Sequence, residues 1–329
     1  MVSGGQAYLA CPRHRPWSLP GLADWRPVSF RTRRDVLRMS ALAALAVPLA
    51  ACQTGYSDEP DPLALLAEQA KADAAAANGV GGDLGSQVAT VRTAHAQALQ
   101  AEVDRLNRPK SSVQVVTPSG SGTAALKERL ATAREQAEKL VPTFSRYRAG
   151  LVAAVAAGCA GLQQLDDKLG PGTDPGTVTA SASTVPSDAV SPLQKALDAE
   201  HAAVWVYALV SAFLPSNYTA GVSDGADEHR NRRDACVRML DAVGATPDGA
   251  EPAYITPKPV TDATSAKSVV ASAEADTAAA WRGVLEGTDD ENLRKVALVA
   301  LLGSARRGTR WRQAAGESPA AVPMPGAAA

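Results

Sequence analysis

From residue 62 onward apolar residues recur at steps of three and four, the period of a helix with one buried face. No stretch alternates as a strand would, so the pattern predicts an all-α protein. In the first half, Asp61-Pro62 reads as a cap with proline at the first helical position, opening a helix that Asn78-Gly79 stops. A second helix spans about 84–106 and ends before Pro109. After a polar Gly/Ser-rich loop a third covers about 123–140. Pro142 breaks or kinks the chain, and a fourth continues to Leu169, with Gly170 as its stop.

A Gly/Pro/Ser/Thr-rich run at 170–190 reads as a flexible linker. Beyond it Ser191-Pro192-Leu193-Gln194 reads as a capping box for a helix reaching about Leu214. Further helices are expected at about 224–243 and 262–286. Thr288-Asp289-Asp290-Glu291 reads as another capping box, for a last helix reaching about Ala314. The residues around Val113–Val116 and Tyr254–Ile255 read as loops. The expected organisation is an N-terminal helical bundle at 62–169, the linker at 170–190, a four-helix bundle at 191–314 and a disordered Ala/Pro-rich tail at 315–329.

The chain before residue 62 reads as an address. Arg33-Arg34 followed by Val36, Leu37 and Arg38 resembles the twin-arginine export signature, and an apolar run from Met39 to Ala51 follows. That run is too short for a membrane-spanning helix, which needs about 20 residues, and suits a signal-peptide core. It ends at Leu49-Ala50-Ala51-Cys52, which resembles the bacterial lipobox, in which the cysteine is lipidated and becomes the new N-terminus. Residues 1–51 are therefore expected to be a signal peptide and Cys52 the lipidation site. Residues 52–61 would form a tether; from Gln53 it could reach roughly 30 Å when extended. The expected location is the outer face of a bacterial cytoplasmic membrane, with more than one acyl chain making the anchor stable.

Charge changes the picture once that segment is set aside. Residues 1–51 hold seven arginines and two acidic residues, so the remainder has 26 basic and 32 acidic residues and a formal charge of −6. This argues against a nucleic-acid partner and against electrostatic docking on anionic lipid. The chain is rich in alanine and only 4% aromatic, which favours helices but buries little area per side chain. Cys159 and Cys236 remain after Cys11 and Cys52 are set aside. They read either as a disulfide, since the export route leads to an oxidising compartment, or as two small buried apolar side chains.

The polar residues that fall on the apolar stripes are the candidates for chemistry. Glu200 lies on the stripe of Leu193, Leu197 and Val204. His229 and Arg233 lie on that of Cys236 and Leu240. Glu274 lies with Val270, Thr277 and Trp281, and Arg307 with Ala300, Ser304 and Trp311. The run Leu193 to Val204, then Glu228-His229-Arg230 with Arg233-Asp234, then Glu274 and Trp281, resembles the ferritin-like domain of uncharacterised exported bacterial proteins, a domain-of-unknown-function family. The resemblance covers about 192–314 and implies a ferritin-like four-helix bundle, with no established activity.

Ferritin-like di-iron sites take a Glu from each of two helices and Glu-x-x-His from each of the other two. This sequence has Ala226 three residues before His229, and its last helix carries no inward His or carboxylate. These missing ligands argue against a two-iron centre. Two readings remain. Glu200, His229 and Glu274 could hold a single metal ion, or they could form a buried polar network with Arg233 and Arg307. His201 reads as a boundary residue. His95 reads as a core histidine with no inward carboxylate partner, leaving the N-terminal half without a site.

No nucleophile triad, phosphate loop, CxxC or haem-attachment motif occurs, so no catalytic residue is assigned. The sequence supports a non-catalytic, membrane-anchored binding or structural lipoprotein without a cofactor, its partner an envelope protein or a small ligand. The alternative is a single-metal protein with redox or metal-handling activity.

Overall fold

A computed structural model describes residues 59–108, 120–178 and 185–327. The residues of the expected export and lipidation signal, namely Arg33, Arg34, Leu37, Leu49, Ala50, Ala51 and Cys52, lie outside the described residues, as does the loop at 113–116. Among the described residues there are eight α-helices and no strand. They are α1 (Pro62–Val80), α2 (Gly82–Leu106), α3 (Gly122–Leu140), α4 (Arg146–Leu162), α5 (Val190–Val210), α6 (Thr219–Ala242), α7 (Ala263–Gly287) and α8 (Glu291–Ala315). None of the described helices is long and apolar enough to cross a membrane.

Side-chain caps set three of the eight described helix starts, those of α1, α7 and α8. Asp61 accepts from the Leu63 amide at 3.0 Å, ahead of Pro62 at the first position. Asp262 and Ser265 form a reciprocal capping box on α7. Two expected caps are corrected. α5 begins at Val190, one residue before Ser191, continuing a 3₁₀ turn at Ser187–Ala189, so the Ser191 box does not form. Gln194 instead bridges to the Thr246 carbonyl and the Asp248 amide. On α8 the cap is Asp290, which accepts from Leu293 N at 2.8 Å, while Thr288 supports Asp290 from outside the helix.

The two halves do not form separate bundles. Ser57–Ala329 is one compact unit, and a single apolar cluster joins Leu63 and Leu66 of α1, Val152 of α4, Leu193 and Leu197 of α5, Trp281 of α7 and Leu301 of α8. The physical reason is α4, which is buried on every side from Arg148 to Leu162. A helix that is apolar all round demands neighbours all round, and α4 packs on α3, α7 and α8. Its glycines permit the close approach. A Cβ at Gly158 would fall 2.4 Å from His95 Nε2, and one at Gly161 2.9 Å from Thr309 Oγ1.

The expected flexible linker and disordered tail are also corrected where they are described. Val178 and Val185 of the linker are buried in the shared core. Residues 316–327 run over the bundle as an ordered segment. Ala320 and Ala321 are buried, and the Pro323 carbonyl meets His95 Nε2 at 2.6 Å. Backbone buried in this way must find hydrogen-bond partners, and α2 supplies them through His95 and Gln87.

Candidate functional site

The four helices after the linker each turn polar side chains into one buried cluster. α5 contributes Glu200 and Tyr207, and α6 contributes His229 and Arg232. α7 contributes Glu274, Thr277 and Trp281, and α8 contributes Ser304, Arg307 and Trp311. Glu200, His229 and Glu274, expected to converge, do so. His229 Nδ1 lies 2.6 Å from Glu200 Oε2, and His229 Nε2 lies 3.1 Å from Glu274 Oε1.

The remaining valences are taken up in turn. Trp281 Nε1 donates to Glu200 Oε1 at 2.6 Å. Arg307 Nε donates to Glu274 Oε1 at 2.6 Å, and the Tyr207 hydroxyl donates to the same oxygen at 2.7 Å. Tyr207 accepts in turn from Trp311 Nε1 at 3.0 Å. Arg232 donates to Ser304 Oγ at 2.8 Å and to Glu228 Oε1 at 3.1 Å, and stands 3.8 Å from Glu200.

Electrostatics follow from this geometry. Burial opposes a charge on His229, but Glu274 and Glu200 on its two nitrogens outweigh it and raise its pKa above the ordinary 6.5, so both nitrogens donate. Burial also opposes the Glu274 carboxylate, yet Arg307 and His229 hold its pKa well below the usual range. Glu200 is lowered likewise by His229 and Arg232 against burial. Burial and the adjacent Glu274 push the Tyr207 hydroxyl well above 10. The three carboxylates Glu200, Glu228 and Glu274 therefore balance the three cations His229, Arg232 and Arg307.

Arg233 is not part of this network. It pairs with Asp234 at 2.8 Å and is partly exposed, and the buried cation on α6 is Arg232. Residues three and four positions after His229 flank the same stripe, and the rotation of α6 in the bundle selects the first of them. His201 stays at the boundary, with Nε2 3.3 Å from the Asp248 carbonyl.

Cys159 and Cys236 are both free, buried thiols, so of the two readings the structure shows the pair of small buried side chains and not the disulfide. Each serves a different cluster: Cys159 accepts from Arg92 at 3.3 Å, whereas Cys236 lies in the core beside the Glu200 network. Burial raises both thiol pKa values.

A second polar cluster in the N-terminal half escaped the sequence reading. Arg92 donates to Asp73 Oδ2 at 2.8 Å and to His95 Nδ1 at 2.9 Å, and Arg129 donates to Asp73 Oδ1 at 3.2 Å. His95 therefore does connect to an inward carboxylate, through Arg92. Burial and Arg92 push its pKa down to about 3, so the neutral ring accepts at Nδ1 and donates at Nε2 to Pro323. The available signal was Asp73 on the inner stripe of Ala70 and Ala77, with Arg92 three residues before His95.

A metal ion held jointly by Glu200, His229 and Glu274 would need their lone pairs aimed at one point. His229 instead stands between the carboxylates, one on each ring nitrogen. Among the described residues no group of three or more His, Cys, Asp and Glu side chains is placed to hold a metal.

No curated protein matches the chain. A solved structure, that of a conserved hypothetical protein, rv2844, from Mycobacterium tuberculosis, is similar at 36% identity over 40% of this chain and 99% of that chain, with a TM-score of 0.39. Residues 192–329 match the model of the family described as Domain of unknown function (DUF4439).

Proposed function

We propose that this protein is an exported lipoprotein, tethered through Cys52 to the outer face of a bacterial cytoplasmic membrane, whose helical body binds a partner or a small ligand and performs no catalysis. In this reading α5–α8 are a ferritin-like bundle whose inner polar residues serve as scaffold. The observation that carries it is the saturation of the buried carboxylates. Both oxygens of Glu200 and both of Glu274 already accept hydrogen bonds, so a general base or a metal ligand would have to be released from charged partners first. The signal at Arg33-Arg34 and Leu49-Ala50-Ala51-Cys52 supports the address. Metabolic labelling with a fatty acid tests the anchor: label retained on Cys52→Ala refutes it. Crosslinking in native membranes tests the binding role, which fails if neither a protein nor a small molecule is captured.

A second reading, a single-metal protein with redox or metal-handling activity, is favoured by the convergence of Glu200, His229 and Glu274 alone. His229 would have to swing out of its position between the carboxylates to serve it. An unchanged melting temperature with iron, manganese or zinc sinks that reading.

A further inference from the structure

Beside the buried network a cleft of about 660 Å³ opens between the start of α6, the second half of α8 and linker residues 174–177. Its volume is that of a small-molecule site, for which roughly 300–1,000 Å³ is usual. Four arginines line it: Arg232, Arg306, Arg307 and Arg310. Glu274 neutralises Arg307, and Glu228 neutralises Arg232. The other two have no such partner.

Arg306 is only 7% exposed and forms no ion pair with any described residue. Its Nη1 donates to the Thr173 carbonyl at 2.9 Å, and its Nε and Nη2 make no hydrogen bond within the described chain. Burial lowers its pKa, Asp174 partly offsets this, and Arg134, Arg310 and Arg307 repel it further. Arg310 donates only to the Gln164 amide oxygen. From α6, Arg232 uses Nε and Nη1, while its Nη2 makes no hydrogen bond within the described chain. Gly303 makes room for that group, since a Cβ there would fall 2.3 Å from Arg232 Nη2.

A desolvated guanidinium among other guanidiniums is stabilised by an anion, and several guanidiniums lining one cleft match the multiple oxygens and the charge of a phosphate. Asp224 and Glu228 of α6 offer acceptors to hydroxyl groups on the rest of such a molecule. We propose that this cleft binds a small polar molecule through a phosphate group, held by Arg306 with Arg310 and Arg232 Nη2. The inference rests on the binding-protein reading above and names the chemistry of the ligand.

The test is calorimetric titration of the full chain in detergent with glycerol 3-phosphate and inorganic phosphate, against chloride at matched ionic strength. Saturable binding is expected, weakened about tenfold or more in R306Q, the loss that follows from removing one charge-assisted hydrogen bond. Because R306Q could also disturb folding, D174N supplies the second arm. Removing the carboxylate that partly offsets Arg306 should tighten phosphate binding, a gain that misfolding cannot imitate. Vesicles containing phosphatidylglycerol distinguish the sources: competition at equal headgroup concentration identifies a lipid headgroup, and its absence a soluble phosphate ester. Absence of binding by a chain with an intact melting transition overturns the assignment, as does binding that R306Q and D174N leave unchanged. Either result leaves the binding-protein reading standing, since that reading fails only on the crosslinking measurement.

Discussion

His229 Nδ1 lies 2.6 Å from Glu200 Oε2, with both side chains fully buried. The same ring reaches Glu274 through its other nitrogen, so one proton-dependent cation joins α5, α6 and α7. Its charge state is therefore a property of the fold.

Stability should fall on the alkaline side for this reason. The pKa of His229 is raised in the folded state above its ordinary 6.5. Its contribution is full below that unfolded value and is lost as pH climbs through the raised one. Glu274 acts in the opposite sense: its pKa is depressed from 4.5, so its contribution is present above that value and fades as pH falls through the lower one. Melting temperatures between pH 5 and 9 should decline at the upper end, and His229→Gln should flatten that decline. An identical alkaline slope in the variant would assign it to another group.

Glu274→Gln should destabilise the protein by about 3–5 kcal/mol, the usual result of removing one partner from a buried pair. It strands Arg307 and takes away one of the two carboxylates that hold His229. Adding Arg307→Met should recover part of the loss, because the stranded guanidinium is then gone. Chemical denaturation of the two variants measures the coupling.

The C-terminal segment should contribute to stability. A chain ending at Gly316 loses the Pro323 carbonyl and leaves His95 Nε2 with a buried, unpaired proton. That alone costs about 1–3 kcal/mol, before the exposure of what Ala320 and Ala321 cover. A melting temperature equal to that of the full chain would contradict the packing described.

Cys159 and Cys236 should resist alkylation in the native state and react in full after denaturation without reductant. Both are buried, and burial raises both thiol pKa values. Peptide mapping reads the two sites separately, and a labelling deficit after denaturation would indicate oxidation.

Much of the fold was legible because it is written locally. The three- and four-residue spacing marks the helices, and Asp61-Pro62 and the start at Asp262 mark two of their beginnings. Glu200, His229, Glu274 and Arg307 were legible as inward residues because each sits in the middle of an apolar stripe. Three things depended on packing. Helical spacing alone does not distinguish the third from the fourth residue after His229, so the choice of Arg232 over Arg233 waited on the rotation of α6. The Asp73–Arg92–His95 cluster joins two helices whose register no local signal states. The halves merge, and the last residues dock, because α4 is apolar on all sides and leaves surface that α7, α8 and the C-terminal segment cover. Sequence determines what each helix must bury; only the tertiary structure decides against which neighbour, because burial is satisfied by any surface of matching shape.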